Sequence, residues 1–226
     1  MCTRYTLKSL TALAIAAFHD ELAEAADADW TPRYNVALTQ PMPVVTRRRG
    51  RTARETLRFG VTRPSRTADA KPLLLANARA ETLLAKPAFS EAVRHRRCLV
   101  PADGFYEWEK LGRERQPHYF ALKSRQPFFF AGLWEPATDD APAAFCIVTT
   151  APNPLLAAIH DRMPVILGPN SGPAWLGDEP LAPARLAQLC RPLAADLMAG
   201  HRVDPRMNHA RYEAPDCIAP FAPLLG

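Results

Sequence analysis

The middle of the chain is a succession of short apolar runs, each bounded by glycine, proline or polar residues. Such runs occupy positions 98–100, 119–122, 128–134, 145–150 and 165–167. They are rich in aromatic and β-branched residues, so each predicts a buried β-strand. Earlier in the chain, Val44, Val45 and the run 57–61 predict two further strands, joined by an arginine-rich turn at Gly50.

Helical periodicity lies mainly on either side of these runs. Leu10, Leu13, Ala14, Ala17 and Phe18 follow the i, i+3, i+4, i+7 spacing that predicts an amphipathic helix. Further helices are predicted at 81–85 and 89–96, separated by Pro87, from Asn153–Pro154 to near His160, and at 181–198, interrupted at Pro192.

Strands in the middle with helices on the flanks predict an α+β fold. We expect a single domain over residues 1–226, with a curved, barrel-like, mixed or antiparallel sheet flanked by short helices. The 226 residues, 48% hydrophobic and 23% charged, are typical of a globular protein and exclude wholesale disorder. The longest apolar stretch, Leu10 to Phe18, is too short to cross a bilayer.

The net charge of +5 is concentrated in one segment. Residues 47–66 contain eight arginines and one acid, Glu55, so this segment carries +7 and the rest of the chain −2. Such a cluster is typical of a surface that binds a polyanion. A solvated arginine face is the alternative explanation.

The cysteines are scattered at positions 2, 98, 146, 190 and 217, with no C-x-x-C pair and no zinc-site spacing. Five unpaired cysteines predict free thiols in a reducing compartment, without disulfides or a bound metal. Residues 1–5 lack the basic and apolar regions of a secretory signal. We therefore expect a cytoplasmic protein.

Cys2 is the position with the most unusual chemistry. Removal of Met1 would leave an α-amine and a thiol on adjacent carbons, and a 1,2-aminothiol condenses with an aldehyde to an imine and then to a thiazolidine. The α-amine has a pKa of about 7.7–8.0 against about 10.4 for lysine, so more of it is neutral near pH 7. Alternatively, the thiol could attack an amide with the amine as base. A chance cysteine is the third explanation.

Two segments contain groups suited to proton transfer. Glu107 lies between aromatic residues in 103–108, where desolvation would raise its pKa and suit a general acid or base. His160 ends a predicted helix beside Asp161, which could orient it, and Arg162, which could bind a phosphate. An ordinary ion pair and a helix-ending cap are the respective structural alternatives.

Two further segments place an amide close to an arginine, namely Asn77 with Arg79 and Asn35 with Arg33. An amide can polarise a carbonyl or hold a hydroxyl, and arginine binds phosphate through two parallel hydrogen bonds. Taken alone, each pair is explained more simply by a capping or turn role.

Taken in order, these segments resemble the SRAP family, the SOS-response-associated peptidases that crosslink to abasic sites. The resemblance is carried by residues 1–5, 33–40, 58–61, 77–82, 97–108, 131–135, 149–150 and 160–167. It implies the SRAP fold and a reaction at single-stranded DNA. In that reaction an N-terminal cysteine exposed by self-processing attacks the ring-opened aldehyde of an abasic deoxyribose and forms a thiazolidine crosslink. It leaves an AP-lyase activity open.

The resemblance also implies roles for individual residues. Catalysis would use Cys2 as nucleophile, Asn77 to position the N-terminus and sugar, Glu107 to transfer protons, and His160 to assist ring opening and reversal. Contacts with DNA would come from Arg4, Asn35, Phe59, Arg79, Trp108, Thr149 and Arg162. The chain departs from the family pattern at Thr3, Leu38, Phe59 and Ala80, where Gly, Pro, Trp and often Ser are usual. Thr3 restricts the backbone beside Cys2 more than glycine would.

The expected partner is therefore single-stranded DNA containing abasic sites, bound by a monomeric, nucleoid-associated protein without a cofactor, a metal or a membrane contact. Two other functions stay open at this point. One is an amidase or peptidase that uses the Cys2 thiol, and the other is a non-enzymatic DNA-binding protein that uses the arginine-rich hairpin alone.

Overall fold

The structure, a computed structural model, describes residues 2–10, 30–63, 71–168 and 171–221. The helix expected from Leu10 to Phe18 therefore lies, apart from Leu10, outside the described residues. None of the helices in the described part of the chain combines the length and apolarity needed to cross a bilayer.

The described residues form fifteen strands and four α-helices. The strands are β1 Arg4–Leu7, β2 Arg33–Ala37, β3 Pro41–Arg48, β4 Arg51–Phe59, β5 Val61–Arg63, β6 Leu73–Leu75, β7 Asn77–Arg79, β8 Arg97–Ala102, β9 Gly104–Leu111, β10 Glu114–Leu122, β11 Phe128–Glu135, β12 Ala144–Thr150, β13 Met163–Pro164, β14 Ile166–Leu167 and β15 Met198–Arg202. The helices are α1 Pro87–His95, α2 Pro154–Ala157, α3 Ser171–Leu176 and α4 Pro183–Leu189. Short 3₁₀ helices occupy Ala80–Thr82, Ala195–Leu197, Pro205–Asn208 and Pro215–Ile218.

The larger sheet closes on itself. Its strand order is β13-β12-β4-β3-β8-β11-β14, and β11 also pairs with β12, so that β12, β4, β3, β8 and β11 form a ring. The ring is not a regular barrel, because β4 pairs with β12 in parallel through only two residue pairs before β7 takes over the same edge. The predicted α+β fold with a curved, barrel-like sheet is thus confirmed.

A second, antiparallel sheet of order β15-β10-β9-β1-β2 packs on the ring through aromatic side chains. Tyr5 of this sheet packs edge-to-face against Phe59 and Phe130 of the strand ring, with aromatic centroids 5.6 and 5.8 Å apart. Phe105 packs against Phe130 in the same way, with a centroid distance of 6.0 Å. All four aromatic side chains are fully buried. Burial of one such side chain stabilises the fold by about 1.5–3 kcal/mol, and this interface fixes β1, and hence Cys2, against the ring.

Local sequence explains several element boundaries. The β3–β4 hairpin turns through Arg49 and Gly50, both with positive φ (52° and 78°), which is the geometry of a two-residue type I′ turn. Helix α2 begins as predicted, because the Asn153 side chain accepts the Leu156 N–H at 3.0 Å and Pro154 occupies the first turn.

The predicted helix at 181–198 is wrong in its second half. Helix α4 ends at Leu189, and Met198 begins β15, which pairs with β10. Pro192 disfavours the helical conformation of its predecessor and supplies no N–H, so the chain leaves the helix there. The helix expected at 81–85 is reduced to the 3₁₀ turn Ala80–Thr82, and Pro87 begins α1 as its first residue.

Candidate active site

Cys2 lies just before β1 and is fully buried against the start of β7. The Asn77 side chain donates from Nδ2 to the Cys2 carbonyl oxygen at 3.0 Å, and Asn77 is itself fixed by parallel pairing with Ile147 of β12. The other side-chain atom of Asn77, Oδ1, is buried and has no hydrogen-bond partner among the described residues. Asn77 therefore orients the backbone of residue 2 and keeps one acceptor available beside it.

The Cys2 thiol is held in its neutral form. Burial raises its pKa well above the ordinary value of 9.0, and the charge of Glu107 raises it further. Its hydrogen bond from Sγ to the Arg4 carbonyl oxygen is long, at 3.9 Å, and therefore weak. The surroundings thus do not stabilise a thiolate, which is the species that an ordinary cysteine nucleophile requires.

Glu107 and His160 face each other close to Cys2. Glu107 projects from β9 and is fully buried, and this burial raises its pKa from 4.5 to about 7. His160 follows α2, with its Nε2 atom 4.0 Å from Glu107 Oε2. A carboxyl group with a pKa near 7 is present in both protonation states at neutral pH and can both give and take a proton.

The backbone determines which nitrogen of His160 carries the proton. The Arg162 N–H donates to Nδ1 at 2.9 Å, so in the neutral ring the proton is on Nε2, directed toward Glu107. The Asp161 carboxylate lies 3.0 Å from the same Nδ1, but its side chain is 81% exposed, whereas the backbone donor is fixed. The backbone contact therefore sets the tautomer. Burial lowers the pKa of His160, which favours the neutral ring.

Arg162 makes its strongest contacts within the protein. Its guanidinium donates two parallel bonds of 2.8 Å to the Glu81 carboxylate and a third, of 2.6 Å, to the Thr149 carbonyl oxygen. The bond from Arg162 lowers the pKa of Glu81. The side chain expected to contact phosphate therefore ties the His160 loop to the turn that follows β7.

Arg4 and Asn35 also have internal partners. Arg4 Nη1 donates to Asn35 Oδ1 at 2.8 Å and Nη2 to the Asn208 carbonyl oxygen at 3.1 Å, while Asn35 Nδ2 donates to the Met207 and Tyr212 carbonyl oxygens at 2.9 and 2.8 Å. Together they fasten the C-terminal segment to β1 and β2. In this arrangement neither is presented to a ligand as a free group.

The remaining expected DNA contacts differ in accessibility. Phe59 is fully buried and stacks on Phe145 with centroids 5.2 Å apart, so no base can reach it in this fold. Thr149 is buried as well. Arg79, at the end of β7, is exposed and forms no ion pair with any described residue, and the half-buried Trp108 donates from Nε1 to Asn208 Oδ1 at 2.7 Å. Arg79 and Trp108 are thus the accessible members of the set.

Two supporting residues were missed in the sequence, although both lie in segments that it singled out. Glu81 is the partner of Arg162, as described above. Asp103, buried at the β8–β9 junction, accepts from Thr6 Oγ1 and the Lys8 N–H, each at 2.5 Å, and so anchors β1 behind Cys2. A carboxylate directly after an apolar strand is the feature that could have identified Asp103.

The fold and this group of side chains define a class of protein, an α+β domain whose second residue is a buried cysteine beside an Asn, a Glu and a His. Residues 1–210 match the family described as SOS response associated peptidase (SRAP), and the chain belongs to that family.

Named relatives are found in bacteria and vertebrates. The chain is 35% identical over 223 residues to abasic site processing protein YoqW of Bacillus subtilis, covering 96% of this chain and 99% of that one. It is 30% identical over 169 residues to abasic site processing protein HMCES of Gallus gallus, covering 64% of this chain and 50% of the relative.

Solved structures share the fold. A protein of Bacteroides thetaiotaomicron aligns with a TM-score of 0.76 over 98% of this chain and 100% of its own, at 21% identity. A phage-related protein of Bordetella bronchiseptica aligns with a TM-score of 0.67 over 89% and 94% of the two chains, at 28% identity.

Proposed function

We propose that this chain processes abasic sites in DNA and that Cys2, once Met1 has been removed by self-processing, becomes covalently attached to the sugar. The observation that carries the proposal is the hydrogen bond from Asn77 to the Cys2 carbonyl oxygen, beside the facing side chains of Glu107 and His160. The relatives named for abasic site processing support the abasic site as the substrate.

The reaction begins with the α-amine. At a pKa of about 7.7–8.0 a useful fraction of it is neutral near pH 7, whereas burial keeps the Cys2 thiol protonated. The amine attacks the aldehyde of the ring-opened deoxyribose to give a carbinolamine, and loss of water from the carbinolamine gives an imine. The Asn77 Oδ1 acceptor is available to orient the amine for this attack.

The thiol then closes the ring. Sulfur forms a bond to the imine carbon, the C=N π electrons move to nitrogen, and the thiol proton ends on that nitrogen. The product is a thiazolidine, and the whole sequence releases one water. Because the two reacting groups belong to the same residue, the second step is intramolecular and benefits from a high effective concentration.

Glu107 and His160 transfer the protons that the reaction requires. In its acid form Glu107 protonates the hydroxyl that leaves the carbinolamine, and in its base form it accepts a proton from the attacking amine. The imidazolium form of His160, an acid strengthened by its lowered pKa, is suited to protonate the ring oxygen of the sugar as the sugar opens, and the neutral ring takes the proton back on reversal. A pKa of about 7 for Glu107 predicts greatest activity near neutral pH.

For the DNA contacts we propose a division of roles. Arg79 and Trp108 touch the strand beside the lesion, with Trp108 offering a stacking surface. Arg4, Asn35 and Arg162 position the site through the internal bonds described above. We assign no DNA contact to Phe59.

The imine is also the species from which an AP-lyase reaction would start, by elimination of the 3′ phosphate. Ring closure by the thiol removes the imine and so suppresses strand cleavage. Which of the two products forms therefore depends on the sulfur atom of Cys2.

The decisive variants are Cys2→Ala and Cys2→Ser, incubated with single-stranded DNA containing an abasic site and analysed on a denaturing gel after heating. We expect the unaltered protein to give a heat-stable shifted band and both variants to lose it, because neither can form a thiazolidine. A heat-stable band that persists in Cys2→Ala would exclude the proposed mechanism.

A further inference from the structure

The most basic surface of the described chain is the β3–β4 hairpin. Between positions 47 and 54, which we call the arginine hairpin, it carries five arginines, Arg47, Arg48, Arg49, Arg51 and Arg54. The hairpin is a regular antiparallel ladder from Pro41–Arg58 to Arg48–Arg51, so these side chains are attached to an ordered backbone. The catalytic residues described above are all located elsewhere.

Neighbouring side chains hold the arginine hairpin in place, at the Gly50 turn as well as along β3. Asp178 accepts from Arg47 Nε at 3.2 Å and from the Gly50 N–H at 3.0 Å. Arg48 pairs with Glu55 at 2.8 Å and lies over the Trp134 ring at 4.0 Å. Arg49 and Arg51, at the tip, are exposed and form no ion pair with any residue that the structure describes.

Arg49, at the tip, has a backbone conformation that is unfavourable for arginine. Arg49 has a φ of 52°, in the left-handed region, and the first central position of a type I′ turn strongly prefers Asn, Asp or Gly. Arginine at this position makes the turn less favourable than asparagine would. In return, it places an exposed guanidinium at the turn of the hairpin.

Strand pairing shows how far this tip is from the chemistry. Arg51 precedes Arg58 by seven residues on β4, Arg58 pairs with Ala144 of β12, and Ile147, three residues further on, pairs with Asn77. Because β4 and β7 both run parallel to β12, the path from tip to Asn77 is ten residue steps, or roughly 33 Å at about 3.3 Å each. The coiling of the sheet makes the straight-line separation shorter than this path.

We propose that the arginine hairpin is a second DNA-contacting surface, which binds backbone phosphates of the strand several nucleotides away from the sugar held at Cys2. An upper limit of roughly 33 Å corresponds to at most about ten nucleotides in duplex geometry, and to fewer in an extended single strand. Charge complementarity selects a phosphate backbone, and the exposed Arg49 and Arg51 at the tip can bind it without reading sequence. The inference rests on the proposed function for the placement of the lesion.

The test uses the double variant Arg49→Asn/Arg51→Thr, which removes two charges, relaxes the turn and keeps a strand-forming residue. The matched control is Arg125→Asn/Lys123→Thr, which also removes two charges and also replaces an arginine with positive φ (57°) in an exposed loop. Binding is measured by fluorescence anisotropy to single strands containing a tetrahydrofuran abasic analogue, which cannot form an imine. One oligonucleotide has flanks of about two nucleotides and another flanks of about ten.

We expect the hairpin variant to bind the long oligonucleotide about tenfold more weakly and to lower its salt dependence by about one to two units of slope. It should bind the short oligonucleotide as the unaltered protein does, and its crosslinking rate with saturating abasic DNA should be unchanged. Unchanged binding to the long oligonucleotide would overturn the proposal. An equal loss on both oligonucleotides, or an equal loss in the control variant, would overturn it as well.

Failure of the proposed function would look different. If the unaltered protein formed no crosslink with true abasic DNA, while the hairpin variant still lost affinity only for the long oligonucleotide, the chemistry assigned to Cys2 would be wrong. The DNA-binding role of the arginine hairpin would still stand.

Discussion

Cys2, Asn77, Glu107 and His160 lie together at one end of the strand ring, which we call the Cys2 end. This end and the arginine hairpin use their ionisable groups in opposite ways. At the Cys2 end, Glu107 is fully buried and its pKa is raised to about 7, and the Cys2 thiol is kept neutral by burial. At the hairpin, Arg49 and Arg51 stand exposed with their charges unmatched by described residues. Burial adjusts protonation and fixes geometry, as proton transfer requires, whereas exposure gives a long-range attraction that salt weakens.

The two regions also differ in what their arginines do. Arg4 and Arg162, which lie close to the site, donate hydrogen bonds to carbonyl oxygens, an amide and a carboxylate of the protein itself. An arginine near an active site is thus as much a structural tie as a candidate for phosphate binding. Proximity to the chemistry does not by itself identify the residues that contact DNA.

Apart from the loss of Cys2 itself, the largest effect is expected from removing the exchangeable proton of Glu107. Glu107→Gln keeps the shape of the side chain but cannot exchange a proton, so we expect the single-turnover crosslinking rate at pH 7 to fall by about 10²–10⁴-fold. The remaining rate should lose its dependence on a group titrating near pH 7. A variant that crosslinks at the original rate would show that the chain binds DNA without using Glu107 in catalysis.

A second effect of the same substitution concerns stability. Because the folded-state pKa of Glu107 is raised from 4.5 to about 7, the folded state binds the proton more tightly and stability falls as pH rises between these values. The full penalty, about 3 kcal/mol, is present above pH 7. Glu107→Gln should therefore be more stable than the unaltered protein at pH 8.

Urea unfolding of both proteins at several pH values measures this difference. The gap in free energy of unfolding should be close to its full size at pH 8 and should close as the pH falls toward 4.5. A gap that does not vary with pH would mean that the Glu107 carboxyl group does not titrate in this window.

The smallest effect is expected at the tie between the two loops of the site. Glu81 is 50% exposed on its side chain, so Glu81→Gln should change stability by less than about 1 kcal/mol. If Arg162 positions His160, the crosslinking rate should fall several-fold while affinity for the abasic-analogue DNA stays the same. Unchanged crosslinking with increased affinity would instead identify Arg162 as a phosphate ligand that Glu81 normally occupies.

The sequence predicted several strands whose runs are apolar throughout, and missed others whose residues are polar or exposed. The runs that became β8, β11 and β12 are buried along their whole length, so composition alone identified them. By contrast, β15 is mostly exposed and exists through its pairing with β10. Such a strand is determined by tertiary pairing, which a local pattern does not contain.

The candidate site shows the same limit. Cys2, Asn77, Glu107 and His160 were named from the sequence through the family resemblance, and the structure brings them to one end of the ring. The partners of Arg4 and Arg162 could not be predicted, because their bonds join residues as far apart as Arg4 and Asn208. The burial of Phe59 could not be predicted from the sequence either, since it depends on the packing of one sheet on the other.

The most direct measurement is the intact mass of the protein before and after incubation with abasic single-stranded DNA, with borohydride added to a second portion. We predict a starting mass that lacks one methionine and a product heavier by the oligonucleotide less one water. The product should be unaffected by borohydride, because a thiazolidine has no imine to reduce. A covalent product that retains Met1, or one that gains two hydrogens with borohydride, would contradict the assignment of Cys2 as the residue that closes the ring.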